Sequence, residues 1–238
     1  MSSSRQLLPL RLAEMRQDYQ TVNMFPVRCF SFKAPKVLVR DTLAKAQKME
    51  YRNYNAEYGV GTCPDICANP DYRDLMKWFQ QCVDTLHVDN GWNCDRLVVN
   101  KSWINRSDAG SGHHHAPHRH PMSWLSAIFY LTEGPPTIFV DPIAQREWAQ
   151  FQLDGGPISD ATQFVNPIPG GLYIFPSYLI HSSDPNFSTK DRFSISFNTF
   201  PSGNINGGGW GQSMVNVKVE QAWDDLGPLD LKSYMKEE

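Results

Sequence analysis

No run of 18 apolar residues occurs anywhere in the sequence, so no membrane-spanning helix is expected. A basic excess is missing too: 22 Lys and Arg stand against 25 Asp and Glu, a formal net charge of −3. That balance offers no positive stripe to a phosphate backbone, so neither nucleic acid nor membrane is an expected partner. Cysteine is sparse and odd in number, with five residues: Cys29, Cys63, Cys67, Cys82 and Cys94. An odd set argues for reduced, mostly buried thiols rather than a disulfide framework. Cys63 and Cys67 in "CPDIC" have a permissible metal spacing, but no second Cys or His pair flanks them at zinc-finger distance. The first residues, "MSSSRQLLPLRLAEMRQDY", carry charges in place of an apolar h-region, so no signal peptide is read and a cytoplasmic location is expected. Internal repeats are absent.

What is present divides into two parts. In "ANPDYRDLMKWFQQCVDTLH", Asn69 is a good N-cap and Pro70 suits the first turn. Leu75, Trp78, Phe79, Cys82, Val83 and Leu86 then recur at helical steps, giving an apolar face that needs a sheet to cover. Gly91 ends that helix. A shorter helix is expected over 41–51, capped by Asp41, and an early strand within "NMFPVRCFSF". From Asp95 onward, short β-branched and aromatic runs alternate with turn clusters: "RLVVNKSWI", "SWLSAIFYL", "PTIFV", "TQFVNPI", "GGLYIF", "YLIHSS" and "RFSISFNTF". Such a series implies a sandwich, barrel or jelly roll, mainly β with supporting helices. The long mixed stretch across 142–162 reads as a lid or binding loop, and "PSGNINGGGWGQ" as a flexible tail with one further strand in "SMVNVKVE".

Five of the seven histidines crowd into "GSGHHHAPHRHP", and a sixth, His181, ends the run "GGLYIFPSYLIH". In an extended chain His118 and His120 point to the same side and can grip one metal ion. His181 is a candidate third ligand. His113, His114 and His115 read as exposed residues without a first role. In "DRFSISFNTF", Arg192, Ser194, Ser196 and Asn198 alternate with Phe193, Ile195, Phe197 and Thr199, so the polar set shares one face. Arg192 with Ser194 two residues on makes a carboxylate clamp, for which a guanidinium is the suited donor.

The pattern "H-x-H-P … S-x-x-Y-L … G-x-x-x-F-P-S-x-x-x-H … R-x-S-x-S-F-N" resembles the iron(II)- and 2-oxoglutarate-dependent oxygenases, in particular a prolyl-hydroxylase-like branch from bacteria and phages. The resemblance covers Leu97 to Phe200. It implies a double-stranded β-helix, a cupin-like jelly roll. Residues 95–200 would be the catalytic core, 1–94 a support packed on the sheet and 201–238 a C-terminal extension, one domain overall. It further implies Fe(II) on His118, His120 and His181, and 2-oxoglutarate bound by the catalytic Arg192 with Ser194 and Tyr130. O2 and a small-molecule or amino-acid substrate would complete an oxidation at an unactivated C–H bond. A homodimer is compatible with everything read.

One departure matters. The family pattern has Asp or Glu where this chain has His120. Three readings follow: three imidazoles hold the metal alone, Asp141 or Asp184 supplies a carboxylate, or the register begins at His115, with His118 or His120 next. The three-histidine set is preferred; neutral donors leave the metal one unit more positive and favour an anionic co-substrate. Two other classes stay open: a 2-oxoglutarate-independent cupin-like metal enzyme, using iron or zinc on three histidines, and a non-enzymatic jelly-roll binding module. Trp103 and Trp124 are candidate pocket residues.

Overall fold

A computed structural model describes residues 26–53, 59–63, 65–142, 162–206 and 214–220. Its strands are β1 (Phe30–Lys33), β2 (Arg52–Asn53), β3 (Gly61–Cys63), β4 (Cys94–Ser107), β5 (Leu125–Tyr130), β6 (Thr137–Val140), β7 (Thr162–Val165), β8 (Gly171–Pro176), β9 (His181–Ser183), β10 (Arg192–Ile205) and β11 (Val215–Val217). Two α-helices, α1 (Lys36–Ala46) and α2 (Arg73–Asn90), precede the long strands. An eight-stranded sheet runs β1-β8-β5-β10-β4-β3-β2, with β11 paired to β10; a smaller sheet runs β7-β6-β9. Every strand pairing among the described residues is antiparallel. This is the mainly β jelly-roll architecture expected, with β1, β2 and β3 joining the large sheet.

The period-two alternation of β10 decides the layering. Phe193, Ile195 and Phe197 are buried on one face of the large sheet. There Phe79 of α2 meets Phe197 at 4.7 Å between ring centroids and Phe129 at 5.5 Å, and Trp78 meets Phe129 at 5.5 Å. The helix that this stripe demanded forms over Arg73–Asn90, and Gly91 closes it at φ 60°; the Asn69 side chain, accepting from the Asp71 N–H at 3.0 Å, caps not α2 itself but the short 3-10 turn Pro70–Tyr72 that leads into it. The opposite face of the large sheet carries the polar members of β10. Antiparallel register places Asn105 and Tyr130 beside Ser194, Trp103 and Ile128 beside Ser196, and Lys101 and Ser126 beside Asn198.

Two local expectations are corrected. The first helix begins at Lys36, not Asp41, because Pro35 enters it with φ already fixed near −56°. Asp41 instead lies inside the helix, 3.1 Å from Arg40. Residues 201–205 are not a loose tail but extend β10, paired to β4 and β11 past register shifts. The free cysteines include buried Cys63, Cys67 and Cys82, and burial pushes the Cys67 and Cys82 thiols up to about 12. No helix of the described residues is long and apolar enough to cross a membrane.

Candidate metal centre

The histidine-rich segment is placed by backbone pairing with a stretch far along the chain. His118 and His181 exchange both backbone bonds, at 3.0 and 2.9 Å, as an antiparallel bridge. Ser183 N–H donates to the His115 carbonyl at 3.2 Å, and Asn186 N–H to the His113 carbonyl at 3.1 Å. The loop is thereby zipped along β9 and acts as a continuation of the small sheet. Its far end is tied down where the His120 N–H donates to the Ser177 carbonyl at 3.1 Å.

Potential ligand atoms of His118, His120 and His181 all lie within 4.8 Å of one another, and they form the candidate metal group among the described residues. Ring centroids stand 4.3 Å apart for His118 and His181, 5.1 Å for His118 and His120, and 5.2 Å for His120 and His181. The tautomers can be assigned from the backbone. His118 Nδ1 lies 2.7 Å from the Ala116 carbonyl, and His181 Nδ1 lies 3.0 Å from the Leu179 carbonyl. A carbonyl only accepts, so each Nδ1 carries the proton and each Nε2 keeps its lone pair. This is the way metal-binding histidines are oriented by a second layer of hydrogen bonds. Burial, then the neighbouring His181 and His118 and the Lys101 charge, lowers the His120 pKa to about 3. Burial and His118 lower that of His181 to about 4, against the opposing pull of the Leu179 carbonyl. Both rings are therefore neutral near pH 7, the form that coordinates metal.

Asp141 and Asp184 do not join this group, so the donor set of the described residues is all imidazole. His115 is not among the three either.

The cavity beside the three rings is lined by Trp103, Asn105, Thr137, Ser183, Ser194 and Arg192, with His115 and Ser196 also in its wall. Arg192 is only 3% exposed. Its hydrogen bond among the described residues runs from Nη2 to Thr137 Oγ1, at 3.4 Å, and its Nε has no partner there. Its guanidinium carbon sits 5.9 Å from the Tyr130 ring centroid. Burial draws its pKa down, and Tyr130 partly offsets this. No ion pair to Arg192 occurs among the described residues. A buried cation with open donors facing a cavity is a receptor for an anion.

The remaining sequence candidates fall as follows. Ser194 lines the cavity one register step from Arg192. Tyr130 is buried, but its hydroxyl donates to Thr137 Oγ1 at 2.7 Å, and Thr137 rather than Tyr130 borders the cavity. Trp103 is in the wall, against His120 at 5.5 Å between centroids. Trp124 is not: it is 52% exposed and borders a separate cavity with Arg28, Trp92 and Tyr178. Residues 143–161 of the expected lid lie outside the described residues. The reading of His113, His114 and His115 as exposed is corrected, since all three are half-buried by the pairing with 181–186. Sequence reasoning missed Thr137, Asn105 and the position of His115. Only strand register, which brings Asn105 beside Ser194 and Thr137 beside Ser183, makes them visible.

Residues 101–198 match the family described as "Putative 2OG-Fe(II) oxygenase". No curated protein matches the chain by sequence. Among solved structures, the chain is similar to SnoN, a non-heme α-ketoglutarate-dependent epimerase from nogalamycin biosynthesis, with 14% identity and a TM-score of 0.61 over 83% of this chain and 92% of that one. A prolyl-4-hydroxylase from Pseudomonas putida gives 15% identity and a TM-score of 0.55, covering 74% and 94% of the two chains. HygX from Streptomyces hygroscopicus, with nickel and 2-oxoglutarate bound, gives 13% and 0.51, covering 92% and 98%. At these identities the structural likeness speaks for the jelly-roll fold. The family match adds the oxygenase class, and the two together bear out the resemblance read from the sequence.

Proposed function

We propose that this chain, whose residues 101–198 carry the 2OG-Fe(II) oxygenase match, uses Fe(II), 2-oxoglutarate and O2 to oxidise an unactivated C–H bond of a small molecule or amino-acid substrate. One observation carries the reading. Three imidazoles held to a common focus share a cavity with a buried guanidinium that has no acidic partner among the described residues. The residues suit both groups. His118 and His181 would hold the iron through Nε2, with His120 as the third ligand. Arg192 would pair with the far carboxylate of 2-oxoglutarate, with Ser194 beside it and Tyr130 acting through Thr137.

Bound together, iron and 2-oxoglutarate supply an oxidative decarboxylation to succinate and CO2 that is coupled to oxidation of the substrate. The protein's part is orientation and exclusion of water. The Ala116 and Leu179 carbonyls fix two imidazole planes, and the burial of Arg192 keeps it away from competing solvent. Because all three metal donors are neutral, the anionic co-substrate offsets charge that a family carboxylate would otherwise offset. Support for the co-substrate also comes by analogy from HygX, which holds nickel and 2-oxoglutarate on the same fold.

A second reading is favoured by the all-imidazole donor set: a 2-oxoglutarate-independent metal enzyme, since three histidines also serve catalytic zinc. Anaerobic reconstitution with Fe(II) separates the two. The oxygenase reading expects one iron per chain and a visible charge-transfer band on adding 2-oxoglutarate. Stoichiometric metal without that band, and no succinate on admitting O2, selects the second reading. No stoichiometric metal defeats both.

A further inference from the structure

His115 borders the cavity yet stands outside the metal group. Its backbone is fixed to β9 in both directions. The Ser183 N–H donates to the His115 carbonyl at 3.2 Å, and the His115 N–H donates to Ser183 Oγ at 3.0 Å. The Ser183 hydroxyl accepts that bond and lies 3.5 Å from His115 Nδ1, within reach to give its own hydrogen to that nitrogen. When that hydroxyl donates to Nδ1, the neutral ring bears its proton on Nε2.

Register gives the position of this donor within the cavity. Ser183 is paired with Thr137 across β9 and β6. Thr137 Oγ1 is in turn the partner of Arg192 Nη2, at 3.4 Å. The chain His115, Ser183, Thr137, Arg192 is thus contiguous along one wall. The His115 ring stands 6.0 Å from that of His118 between centroids. His115 therefore stands at the Arg192 end of the cavity, next to the metal group but not in it.

We propose that His115 is a positioning residue for the co-substrate, its Nε2–H donating a hydrogen bond to the same far carboxylate of 2-oxoglutarate that Arg192 receives. This rests on the oxygenase reading above. It gives that carboxylate a neutral donor from the small sheet and a charged one from the large sheet, so the dianion is held between the two layers. Fixing both ends of the co-substrate sets the plane in which its keto acid meets the metal.

The test uses the Fe(II)-loaded full chain without oxygen and reads the dissociation constant of 2-oxoglutarate by calorimetry, alongside iron content. His115→Leu is expected to raise that constant about ten- to a hundredfold, the worth of a hydrogen bond to a charged group. Iron stoichiometry stays unchanged, and His115→Gln, which keeps a donor, recovers most of the affinity. With 2-oxovalerate, which lacks the far carboxylate, the parent chain and His115→Leu bind alike. Equal affinity of parent and His115→Leu for 2-oxoglutarate overturns the proposal. So does an equal penalty with 2-oxovalerate, and so does loss of iron from His115→Leu, which would make the residue a ligand. Failure of the parent chain itself to bind 2-oxoglutarate overturns the oxygenase reading instead, before any variant is compared.

Discussion

Arg192→Met should make the metal-free, co-substrate-free protein more stable while crippling co-substrate binding. Arg192 is 3% exposed, with an unpartnered Nε and one long bond to Thr137 among the described residues. Its aliphatic stem is well packed: a Cβ added at Gly134 would lie 3.0 Å from Arg192 Cγ and Cδ. Methionine keeps most of that stem and removes the charge. A buried polar group left unsatisfied costs roughly 1–3 kcal/mol, and replacing buried ionic groups by apolar ones of similar volume is often stabilising. For a chain of this length 1 kcal/mol moves Tm by about 2–4 °C, so a rise of roughly 2–12 °C is expected. The co-substrate dissociation constant should rise about ten- to a hundredfold for loss of a charge-assisted pair. At a ligand concentration of about 100 times the parent's constant, 2-oxoglutarate stabilises the parent by about 2.7 kcal/mol; a hundredfold weaker variant gains only about 0.4 kcal/mol. Thermal melts of the metal-free parent and variant measure the first effect, and melts in the presence of metal, each with and without 2-oxoglutarate, measure the second. A variant that melts below the parent without ligand would refute the reasoning, because Arg192 would then be compensated within the fold. So would an undiminished ligand shift.

Removing one imidazole should empty the metal centre: His181→Ala is expected to lose stoichiometric iron, whereas His120→Asp should retain it, since a carboxylate at that place completes the common two-histidine set; metal analysis after anaerobic loading decides. Acid should destabilise the metal-free chain. The folded pKa values of His115, His120 and His181, at about 3, 3 and 4, lie below an unfolded value of about 6.5. The unfolded chain thus takes up protons first as pH falls, and the stability held above pH ~6.5 is lost progressively toward pH ~4 for His181 and pH ~3 for His115 and His120, on the order of 2 kcal/mol per imidazole by pH ~5. Urea unfolding at pH 7 and pH 5 checks this, and equal midpoints would contradict it.

Much of the fold is legible in the sequence because its signals are local. The stripe of Leu75, Phe79, Val83 and Leu86 on α2 and the alternation of Phe193, Ile195 and Phe197 on β10 each state which face must be buried. Asn69 and Gly91 mark helix ends by chemistry carried in single residues. The Asp41 cap failed because two adjacent signals competed and the fixed φ of Pro35 prevailed. Trp124 failed for another reason: an aromatic residue in a strand flank says nothing of which cavity it borders.

The sequence by itself determined the kinds of donor available and their local spacing: a histidine pair two residues apart, a guanidinium on the polar face of an alternating strand, and no basic surface. Only the tertiary structure decided which of those donors share a space. The bridge between His118 and His181, the pairing of Ser183 with Thr137, and the register that brings Asn105 to Ser194 all join segments distant in sequence. Strand pairing is made by backbone groups that every residue carries, so its register depends on the packing of the whole sheet and cannot be read from any one segment. That is why His118 and His181 could be named as a metal pair from the sequence, while the place of His115 on the cavity wall appeared only once the small sheet was assembled.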